Sequence, residues 1–325
     1  MAILRISLSS LFLILSISSA MASQPIKGTY WPSWSESHLP PSAIRTDLFT
    51  HIYYAFLNPN TTTFEFDVSA STAQSLRNFT STLRSKNPPV KTLFSVGGAG
   101  EDPAIFAQMA SESESRKRFI LSSIGAARKY GFHGVDLDWE SPKDPKEMED
   151  FGILLREWRA EVQKEARATR RPPLLLTAAV YFASDFFLAN VYRAFPAALM
   201  GRTLDLINVM NYDYHGSWEP NITGAHAALY DPNTNISTSY GLTSWINAGA
   251  PRNKLVMGLP LYGKTWTLRD RMSSGIGAPA VGLGPGDQGV LRYAELQEFN
   301  AKNNATVVYD EQTVSVYSVA GMTWI

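Results

Sequence analysis

Every second residue is an acid in the segment Gly134-Val135-Asp136-Leu137-Asp138-Trp139-Glu140. The residues between the acids are apolar, which favours a strand buried on both faces. Since alternate residues of a strand point to the same side, the three acids form one row with a spacing of roughly 6.6 Å. Glu140 then lies at the carboxyl end of the strand, where parallel α/β folds build their sites.

The acidic row has two interpretations. A structural ion-pair strand would need alternating Lys or Arg, and the segment contains neither. Three carboxylates without partners in a core would be very costly. A functional row explains the pattern better, because neighbouring like charges raise one another's pKa. A carboxylic acid that stays protonated near neutral pH can donate its proton to a leaving oxygen. We therefore expect an active site around Glu140.

Short apolar segments alternate with helical patterns along residues 23–262, which is typical of repeated βα units. The predicted strands are Ile26–Trp31, Phe49–Leu57, Lys91–Gly97, Gly134–Glu140, Leu174–Val180, Leu204–Asp213 and Lys254–Tyr262. Apolar spacings of three and four predict helices at residues 73–86, 112–130 and 148–162. Seven strands in this alternation favour a (β/α)8 TIM-type barrel over an open doubly wound sheet. No GxGxxG motif follows the first strand, which excludes a dinucleotide-binding fold.

The alternation ends after Tyr262. Residues 263–325 contain a Gly- and Pro-rich segment, a short helical pattern at 291–300, and a predicted hairpin of Thr306–Tyr309 and Thr313–Ser318. We interpret them as an incomplete α+β insertion lobe that follows strand seven. Barrel closure needs eight strands and the sequence supplies seven. We therefore expect a C-terminal truncation that removes strand eight and the last helices.

The first 22 residues have the pattern of a secretory signal peptide. Arg5 precedes the apolar stretch 11–17, and Ala20-Met21-Ala22 offers a small-residue cleavage site. The mature chain is expected to begin near Ser23 and to be secreted, with the vacuole as an alternative destination. No later segment is apolar enough to hold it in a membrane. Five sequons fit this route, and their asparagines are Asn60, Asn78, Asn221, Asn235 and Asn304.

Composition and residue spacing exclude several kinds of partner. Lys plus Arg and Asp plus Glu both number 29, so no bulk charge attracts nucleic acid, and no dense basic cluster occurs. The chain has no cysteine, so its stability must come from a large core. We predict neither a metal nor a cofactor. No histidine has a second histidine or a carboxylate at the spacing typical of a metal site; the histidines are His38, His51, His133, His215 and His226. A monomer is expected.

Several motifs, in chain order, resemble those of the family 18 glycoside hydrolases, the chitinases and their relatives. The acidic strand is similar to the family's D-x-x-D-x-D-x-E signature, with Glu140 as its last residue. The other matching segments are Tyr54-Ala55-Phe56, Ser95-Val96-Gly97-Gly98 (family S-x-G-G), Met210-Asn211-Tyr212-Asp213 (family M-x-Y-D) and Gly258-Leu259-Pro260-Leu261-Tyr262-Gly263. The resemblance is greatest to the plant class V chitinases and extends from Gly28 to the last residue.

The resemblance implies hydrolysis of β-1,4 N-acetylglucosamine linkages with net retention, in which the N-acetyl oxygen of the substrate attacks the anomeric carbon. Glu140 would protonate the scissile oxygen. Asp138 would orient the acetamido N–H, and Asp136 would share a proton with Asp138. Tyr212 would donate a hydrogen bond to the acetamido oxygen. The partner would be chitin or chitooligosaccharides.

The same resemblance assigns further residues to the sugar-binding cleft. Asp213 and Met210 would line the −1 subsite. Three aromatic residues are suggested to stack on sugar rings: Tyr30, Phe56 and Trp266. For each of them, a role as an ordinary core aromatic of the barrel is an equal alternative. The segment 95–98 is interpreted as backbone packing beside the site rather than as the carrier of a catalytic serine.

Three features depart from the family pattern. His133 replaces the first acid of the signature, and we interpret it as a satisfied polar residue at the barrel floor. Ser141 replaces the Tyr that usually follows the Glu, which leaves a smaller wall beside the sugar. The expected truncation would also remove the sugar-stacking Trp of strand eight.

Two main hypotheses follow. The first is a secreted chitinase that acts in chitin catabolism and defence. The second is a chitin-binding, lectin-like protein with little or no turnover, which the three departures favour. A storage protein has only the stable barrel in its favour, and fold alone does not decide function. The retained Glu140 favours the enzyme.

Overall fold

The computed structural model describes residues 25–325, so the predicted signal peptide, residues 1–22, lies outside the described residues. The strands of the described part are β1 (Gly28–Pro32), β2 (His51–Ala55), β3 (Lys91–Gly97), β4 (Gly134–Asp138), β5 (Leu175–Val180), β6 (Asp185–Leu188), β7 (Val191–Ala194), β8 (Leu206–Val209), β9 (Leu255–Met257), β10 (Tyr262–Lys264), β11 (Trp266–Leu268), β12 (Ala280–Leu283), β13 (Val290–Arg292), β14 (Thr306–Asp310), β15 (Ser315–Ala320) and β16 (Thr323–Trp324). The α-helices are α1 (Ala70–Arg84), α2 (Pro103–Ser111), α3 (Ser113–Tyr130), α4 (Pro145–Thr169), α5 (Ala197–Thr203), α6 (Thr238–Asn247) and α7 (Tyr293–Asn303).

Seven parallel strands form the main sheet in the order β1-β2-β3-β4-β5-β8-β9. Every residue of β2, β4 and β8 is buried, as expected where both faces of a parallel sheet are covered. The sheet is curled, since it brings β8 close to β1, which lies five positions away in the strand order. Asn208 on β8 donates to the Tyr30 hydroxyl on β1 at 3.1 Å. Within residues 25–325, no strand pairs β1 with β9. The fold is therefore an α/β half-barrel of seven parallel strands, which confirms the predicted α/β class and the count of seven strands, whereas the eight-stranded barrel stays a prediction.

Three predicted strands extend too far at their carboxyl ends. β4 ends at Asp138, β8 at Val209 and β9 at Met257. The pairing between neighbouring parallel strands ends at these residues. The last pairs are Gly97 with Asp138 and Val209 with Met257. The residues that follow these strands carry the family motifs and leave the sheet at its carboxyl edge. Their side chains are therefore placed by loops above the strands, at the edge where α/β sites form.

A hairpin that sequence periodicity did not predict follows β5. Strands β6 and β7 pair antiparallel, with Asp185 opposite Ala194 and Leu188 opposite Val191. Ala189 and Asn190 connect them with φ values of 51° and 62°, the left-handed pair that a tight hairpin turn requires. By contrast, the helix predicted at residues 112–130 corresponds to α3. This helix is capped by Gly131, which has the left-handed φ of 79°.

The C-terminal lobe (residues 262–325) contains an antiparallel sheet in the order β12-β11-β16-β15-β14, the two-stranded sheet β10-β13, and α7. The predicted hairpin corresponds to β14-β15 and the predicted helix to α7, so both strands and a helix occur among these residues. Trp266, Leu268 and Trp324 lie at the centre of a small separate core. Among the described helices, none has the length and apolarity that a membrane span requires.

Candidate active site

The three acids of β4 and its following loop are ordered from the floor of the half-barrel to its mouth. Asp136 is fully buried and Asp138 is 6% exposed, whereas Glu140 lies two residues beyond the strand and is exposed. The alternation predicted from the sequence therefore places one carboxyl group in the core and one in the open cleft. Asp138 lies between them and can interact with both.

Asp136 is held by hydrogen bonds from four neighbouring side chains. Ser95 donates to its Oδ2 at 2.7 Å and Tyr30 at 2.9 Å, while Thr177 and Asn208 donate to its Oδ1. Burial raises the pKa of Asp136, and the four donors oppose that rise because they stabilise the carboxylate. The Ser95 hydroxyl thus has a role that the sequence interpretation, backbone packing alone, did not include.

Asp138 has the opposite environment. Its Oδ1 atom is buried and has no hydrogen-bond partner among the described residues. Burial, followed by the negative charges of Glu140 and Asp136, raises the pKa of Asp138 well above its usual value. Because Asp136 is rich in donors and Asp138 is not, a proton shared by this pair resides on Asp138.

Glu140 is the exposed member of the row, yet protein atoms surround its carboxyl group closely. This partial burial, together with the negative charge of Asp213, raises the pKa of Glu140. A carboxyl group with a raised pKa that also faces a cleft can reach a substrate and donate a proton to it.

Asp213 connects the half-barrel to the C-terminal lobe. The hydroxyl of Tyr262 donates to its Oδ2 at 2.7 Å, and Lys264 Nζ lies 2.9 Å from its Oδ1. The Nδ1 atom of His226 lies 3.6 Å from the same oxygen. Burial alone would raise the pKa of Asp213, but these partners outweigh it and lower the pKa to about 2. Asp213 therefore remains ionised throughout the physiological range.

Tyr212 and Met210 lie at the end of β8, as the motif predicted. Tyr212 is partly buried, and its ring meets that of Tyr262 edge-on, with centroids 6.3 Å apart. Burial, followed by the charges of Asp138 and Glu140, raises the pKa of Tyr212, so its hydroxyl remains a donor. Gly258 makes this packing possible, because a Cβ there would lie 2.7 Å from the Tyr212 ring.

Two glycines bring β3 against the acidic strand. A Cβ on Gly97 would lie 2.1 Å from the carbonyl oxygen of Asp138, and one on Gly98 would lie 2.5 Å from the Phe56 ring. Both residues have positive φ, 109° and 90°, and the Gly98 N–H donates to Asp138 O at 2.9 Å. The S-x-G-G motif therefore provides close backbone approach beside the site, which is the interpretation made from the sequence.

The three suggested stacking aromatics differ in their surroundings. Phe56 is partly exposed and lies nearly parallel to the exposed Trp34, with centroids 6.3 Å apart. Tyr30 has one ring face against Tyr53 and uses its hydroxyl to hold Asp136. Trp266 is fully buried in the C-terminal lobe, where its indole N–H donates to a backbone carbonyl. Trp266 offers no ring face to a sugar, so the alternative interpretation, a core aromatic, describes it.

Several residues of the site were not identified from the sequence. Trp34 is 70% exposed and Trp218 is 58% exposed, and Lys264 Nζ lies 5.8 Å from the centre of the Trp218 ring. These residues lie on separate elements, so no local spacing links them to the acidic row. An exposed tryptophan is itself uncommon, but exposure can be read only from the folded chain.

The two replaced signature residues each have a partner. The Nδ1 atom of His133 accepts from the Thr92 N–H at 3.0 Å, and burial lowers the pKa of His133. His133 is thus a neutral, satisfied polar residue. Ser141 Oγ accepts from Arg193 Nη1 at 3.3 Å. Within the described residues, no group of three or more His, Asp or Glu side chains is arranged to hold a metal ion.

Comparison with known proteins agrees with this geometry. Residues 28–325 match the family described as glycosyl hydrolases family 18. The chain is 48% identical over 300 residues to "Class V chitinase CHIT5b" of Medicago truncatula, a match that covers 92% of this chain and 78% of that protein.

Two solved structures show the same fold. A GH18 chitinase from Cycas revoluta in complex with (GlcNAc)3 has a TM-score of 0.87 and 46% identity, over 92% of this chain and 86% of that chain. The chitinase-like agglutinin RobpsCRA from Robinia pseudoacacia has a TM-score of 0.83 and 39% identity over the same shares. Together with the ordered motifs, these matches show that the chain belongs to family 18 of the glycosyl hydrolases.

Proposed function

We propose that this family 18 hydrolase is a chitinase, which cleaves β-1,4 linkages between N-acetylglucosamine units. The observation that carries the proposal is the acidic row, in which Glu140 faces the cleft above the buried pair Asp138 and Asp136. The similar Medicago truncatula protein is named a class V chitinase, and the crystal structure of the Cycas revoluta chitinase contains bound (GlcNAc)3. Chitin and chitooligosaccharides are therefore the substrates that we assign.

Glu140 acts first as a general acid. Burial and the charge of Asp213 raise its pKa, which favours the protonated form that can donate to the glycosidic oxygen as that bond breaks. In family 18 the nucleophile belongs to the substrate rather than to the enzyme. The N-acetyl oxygen attacks the anomeric carbon and gives an oxazolinium ion. Glu140, now a carboxylate, removes a proton from the water that opens this ring, and the configuration is retained.

Asp138 and Tyr212 hold the N-acetyl group for this attack. The free Oδ1 of Asp138 can accept the acetamido N–H, and Tyr212, which keeps its proton, can donate to the acetamido oxygen. As positive charge develops on the ring, Asp138 can transfer its proton to Asp136 and become the carboxylate that stabilises the charge. The donors around Asp136 favour its carboxylate, so the proton stays on Asp138 until the developing positive charge draws the negative charge to Asp138.

The walls of the cleft fit a sugar chain. Asp213 and Met210 line the −1 subsite, with Tyr262 and Lys264 fixing the carboxylate of Asp213. Phe56, stacked with the exposed Trp34, offers an aromatic face near the site. Aromatic faces and fixed polar groups together are what sugar-binding clefts require, since pyranose rings have both apolar faces and hydroxyl edges.

A chitin-binding protein without turnover is the second candidate. The similarity to the Robinia pseudoacacia agglutinin supports it, as does the replacement of the family's Tyr by Ser141. The retained Glu140 favours hydrolysis, because binding alone does not require a protonated carboxyl group in the cleft.

The biological setting is also part of the proposal. The leader at residues 1–22 and five sequons support a secreted or vacuolar glycoprotein that acts as a monomer in chitin catabolism and defence. All five sequon asparagines are exposed and thus accessible to glycosylation: Asn60, Asn78, Asn221, Asn235 and Asn304. We regard the C-terminal lobe as an insertion that follows strand seven.

One preparation of the wild-type protein separates the two functions. Cleavage of a fluorogenic chitotrioside and retention on chitin beads are measured side by side, with a heat-denatured sample as the blank. The chitinase proposal expects turnover together with binding. Binding without turnover would favour the lectin-like protein, and the absence of both would overturn each candidate.

A further inference from the structure

We propose that Arg193, on the β6-β7 hairpin, is a positioning residue for the acid Glu140. Arg193 holds Ser141 and Pro142, the two residues that directly follow Glu140 in the chain. The inference rests on the proposed function, because the placement of Glu140 matters only if the protein cleaves a glycosidic bond.

Arg193 is a buried cation whose partners are neutral oxygens. It is 7% exposed, and its Nη1 donates to Pro142 O at 3.1 Å and to Ser141 Oγ at 3.3 Å. Its Nε has no hydrogen-bond partner among the described residues. Desolvating a guanidinium is costly. Both of its hydrogen bonds nevertheless go to the short segment behind the acid, which points to a role in shaping that segment.

The guanidinium is held from behind by aromatic packing. Arg193 lies opposite Phe186 in the hairpin, and its Cζ is 5.7 Å from the centre of the Phe186 ring. Phe186 in turn packs against Tyr181 and Phe195, at 4.1 and 6.2 Å between centroids. Phe195 meets Phe151 of α4 edge-on. The hairpin base is therefore part of the main core, and it presents the guanidinium from a fixed position.

Within the described residues, the other hydrogen bonds that hold this segment lie at its two ends, although Trp139 also packs between Phe106 and Phe151. At the start, Asp138 O accepts from Gly98 at the end of β4. At the far end, the Asp144 side chain caps α4 and the Lys143 N–H donates to Glu147. Arg193 supplies the hydrogen bonds between these points. A displacement of about 1 Å in a reacting group can lower a rate by roughly 10²-fold, so the hold on this segment should affect chemistry more than binding.

Ser141 and Arg193 form a matched pair. Ser141 stands where the family signature usually continues with Tyr, and its hydroxyl touches the guanidinium. A Tyr ring built in the direction of the Ser141 hydroxyl would meet Arg193. The small residue and the buried arginine therefore depend on each other, and their substitutions should be strongly non-additive.

The test measures kcat and KM for chitotetraose on the full chain. The proposal expects Arg193→Met to lower kcat at least tenfold with KM within twofold of wild type, and Arg193→Lys, which can still donate to Pro142 O, to recover part of the loss. Ser141→Tyr should lower kcat in the wild-type background and much less in an Arg193→Ala background. The control is Arg116→Met, because Arg116 is also 7% exposed but pairs with Glu157 between α3 and α4.

The outcomes separate this inference from the proposed function. A wild type without turnover would overturn both. If the wild type is active, two results would overturn the positioning role alone. One is a folded Arg193→Met variant that keeps the wild-type kcat, and the other is an Arg116→Met variant that loses as much kcat as Arg193→Met. If Arg193→Met did not fold, the Ser141→Tyr comparison would decide, and an equal loss in both backgrounds would count against the proposal.

Discussion

The hydroxyl of Tyr30, on the first strand of the sheet, donates to Asp136, on the fourth, across 2.9 Å. The same hydroxyl accepts from Asn208 on β8. The curl of the half-barrel thus brings β1 and β8 to one buried carboxylate on β4, and the protonation of the acidic row depends on this curl. Loss of a single donor should therefore change the chemistry at Glu140 without any change in the cleft itself.

Tyr30→Phe tests this coupling. Burial raises the pKa of Asp136 and the Tyr30 hydroxyl opposes it, so the variant should raise that pKa further and draw the shared proton from Asp138 to Asp136. A proton that already lies on Asp136 can no longer be transferred from Asp138 as positive charge develops, so the gain in charge stabilisation at the transition state is lost. We therefore expect kcat to fall roughly tenfold, in line with the ~1.5–3 kcal/mol of a hydrogen bond to a charged group, with little change in KM. Steady-state kinetics on chitotetraose provide the measurement.

Tyr53→Phe is the matched control for that variant. Tyr53 stacks on Tyr30 with centroids 4.6 Å apart, and its own buried hydroxyl has no partner among the described residues. Its removal should leave kcat unchanged. Equal effects of the two substitutions would show that general packing, rather than the bond to Asp136, controls the rate.

The pH profile should respond in opposite directions to two changes around Asp213. The pKa of Glu140 is raised by burial and by the charge of Asp213. Asp213→Asn removes that charge, so the alkaline limb of kcat/KM should move to lower pH. Lys264→Met leaves the charge of Asp213 less compensated, so the limb should move to higher pH. Profiles from pH 4 to 9 check both, and shifts of the same sign would refute this electrostatic account.

Asp138→Asn should stabilise the fold while it removes activity. The folded-state pKa of Asp138 lies well above its unfolded value, so the folded state binds this proton more tightly. Wild-type stability is therefore lost as the pH rises from the unfolded pKa, near 3.9, towards the folded pKa. The variant's advantage in urea-unfolding free energy should be small at pH 4 and larger at pH 8. An advantage that shrank with rising pH would show that Asp138 is not the protonated member of the row.

Gly97→Ala should disrupt the seam between β3 and the acidic strand. The added Cβ would lie 2.1 Å from Asp138 O at a φ of 109°, so we expect a loss of about 2 kcal/mol or more in stability. Gly100→Ala is the control, because its Cβ would have no neighbour within 4 Å, and a change within about 0.5 kcal/mol is expected. Chemical denaturation compares them, and similar losses in both would contradict the steric argument.

The sequence predicted the parts of the site that lie on a single strand or directly after it. The alternation of Asp136, Asp138 and Glu140 and the motif ending in Tyr212 and Asp213 depend on local spacing, and the structure brings these residues together. The strand count followed in the same way, from apolar segments separated by helical periodicity.

The rest of the site depends on contacts between distant segments. The pairing of Lys264 with Asp213 and the hold of Arg193 on Ser141 join residues 51 and 52 positions apart in the chain. No local spacing encodes such contacts, because they arise from how loops and the hairpin pack on the carboxyl edge of the sheet. The sequence left two roles open for Trp266, sugar stacking and core packing, because residue type alone does not distinguish an aromatic residue in a core from one in a cleft.

The central claim is that Glu140 is the acid that cleaves the glycosidic bond. The most direct test is the ratio of initial rates for chitotetraose hydrolysis by the wild type and Glu140→Gln, with products resolved by chromatography. Our account predicts that the variant, which keeps the size of the side chain but cannot supply the proton, loses at least about 10²-fold in rate while it still binds chitin. Comparable rates for the two proteins would contradict it.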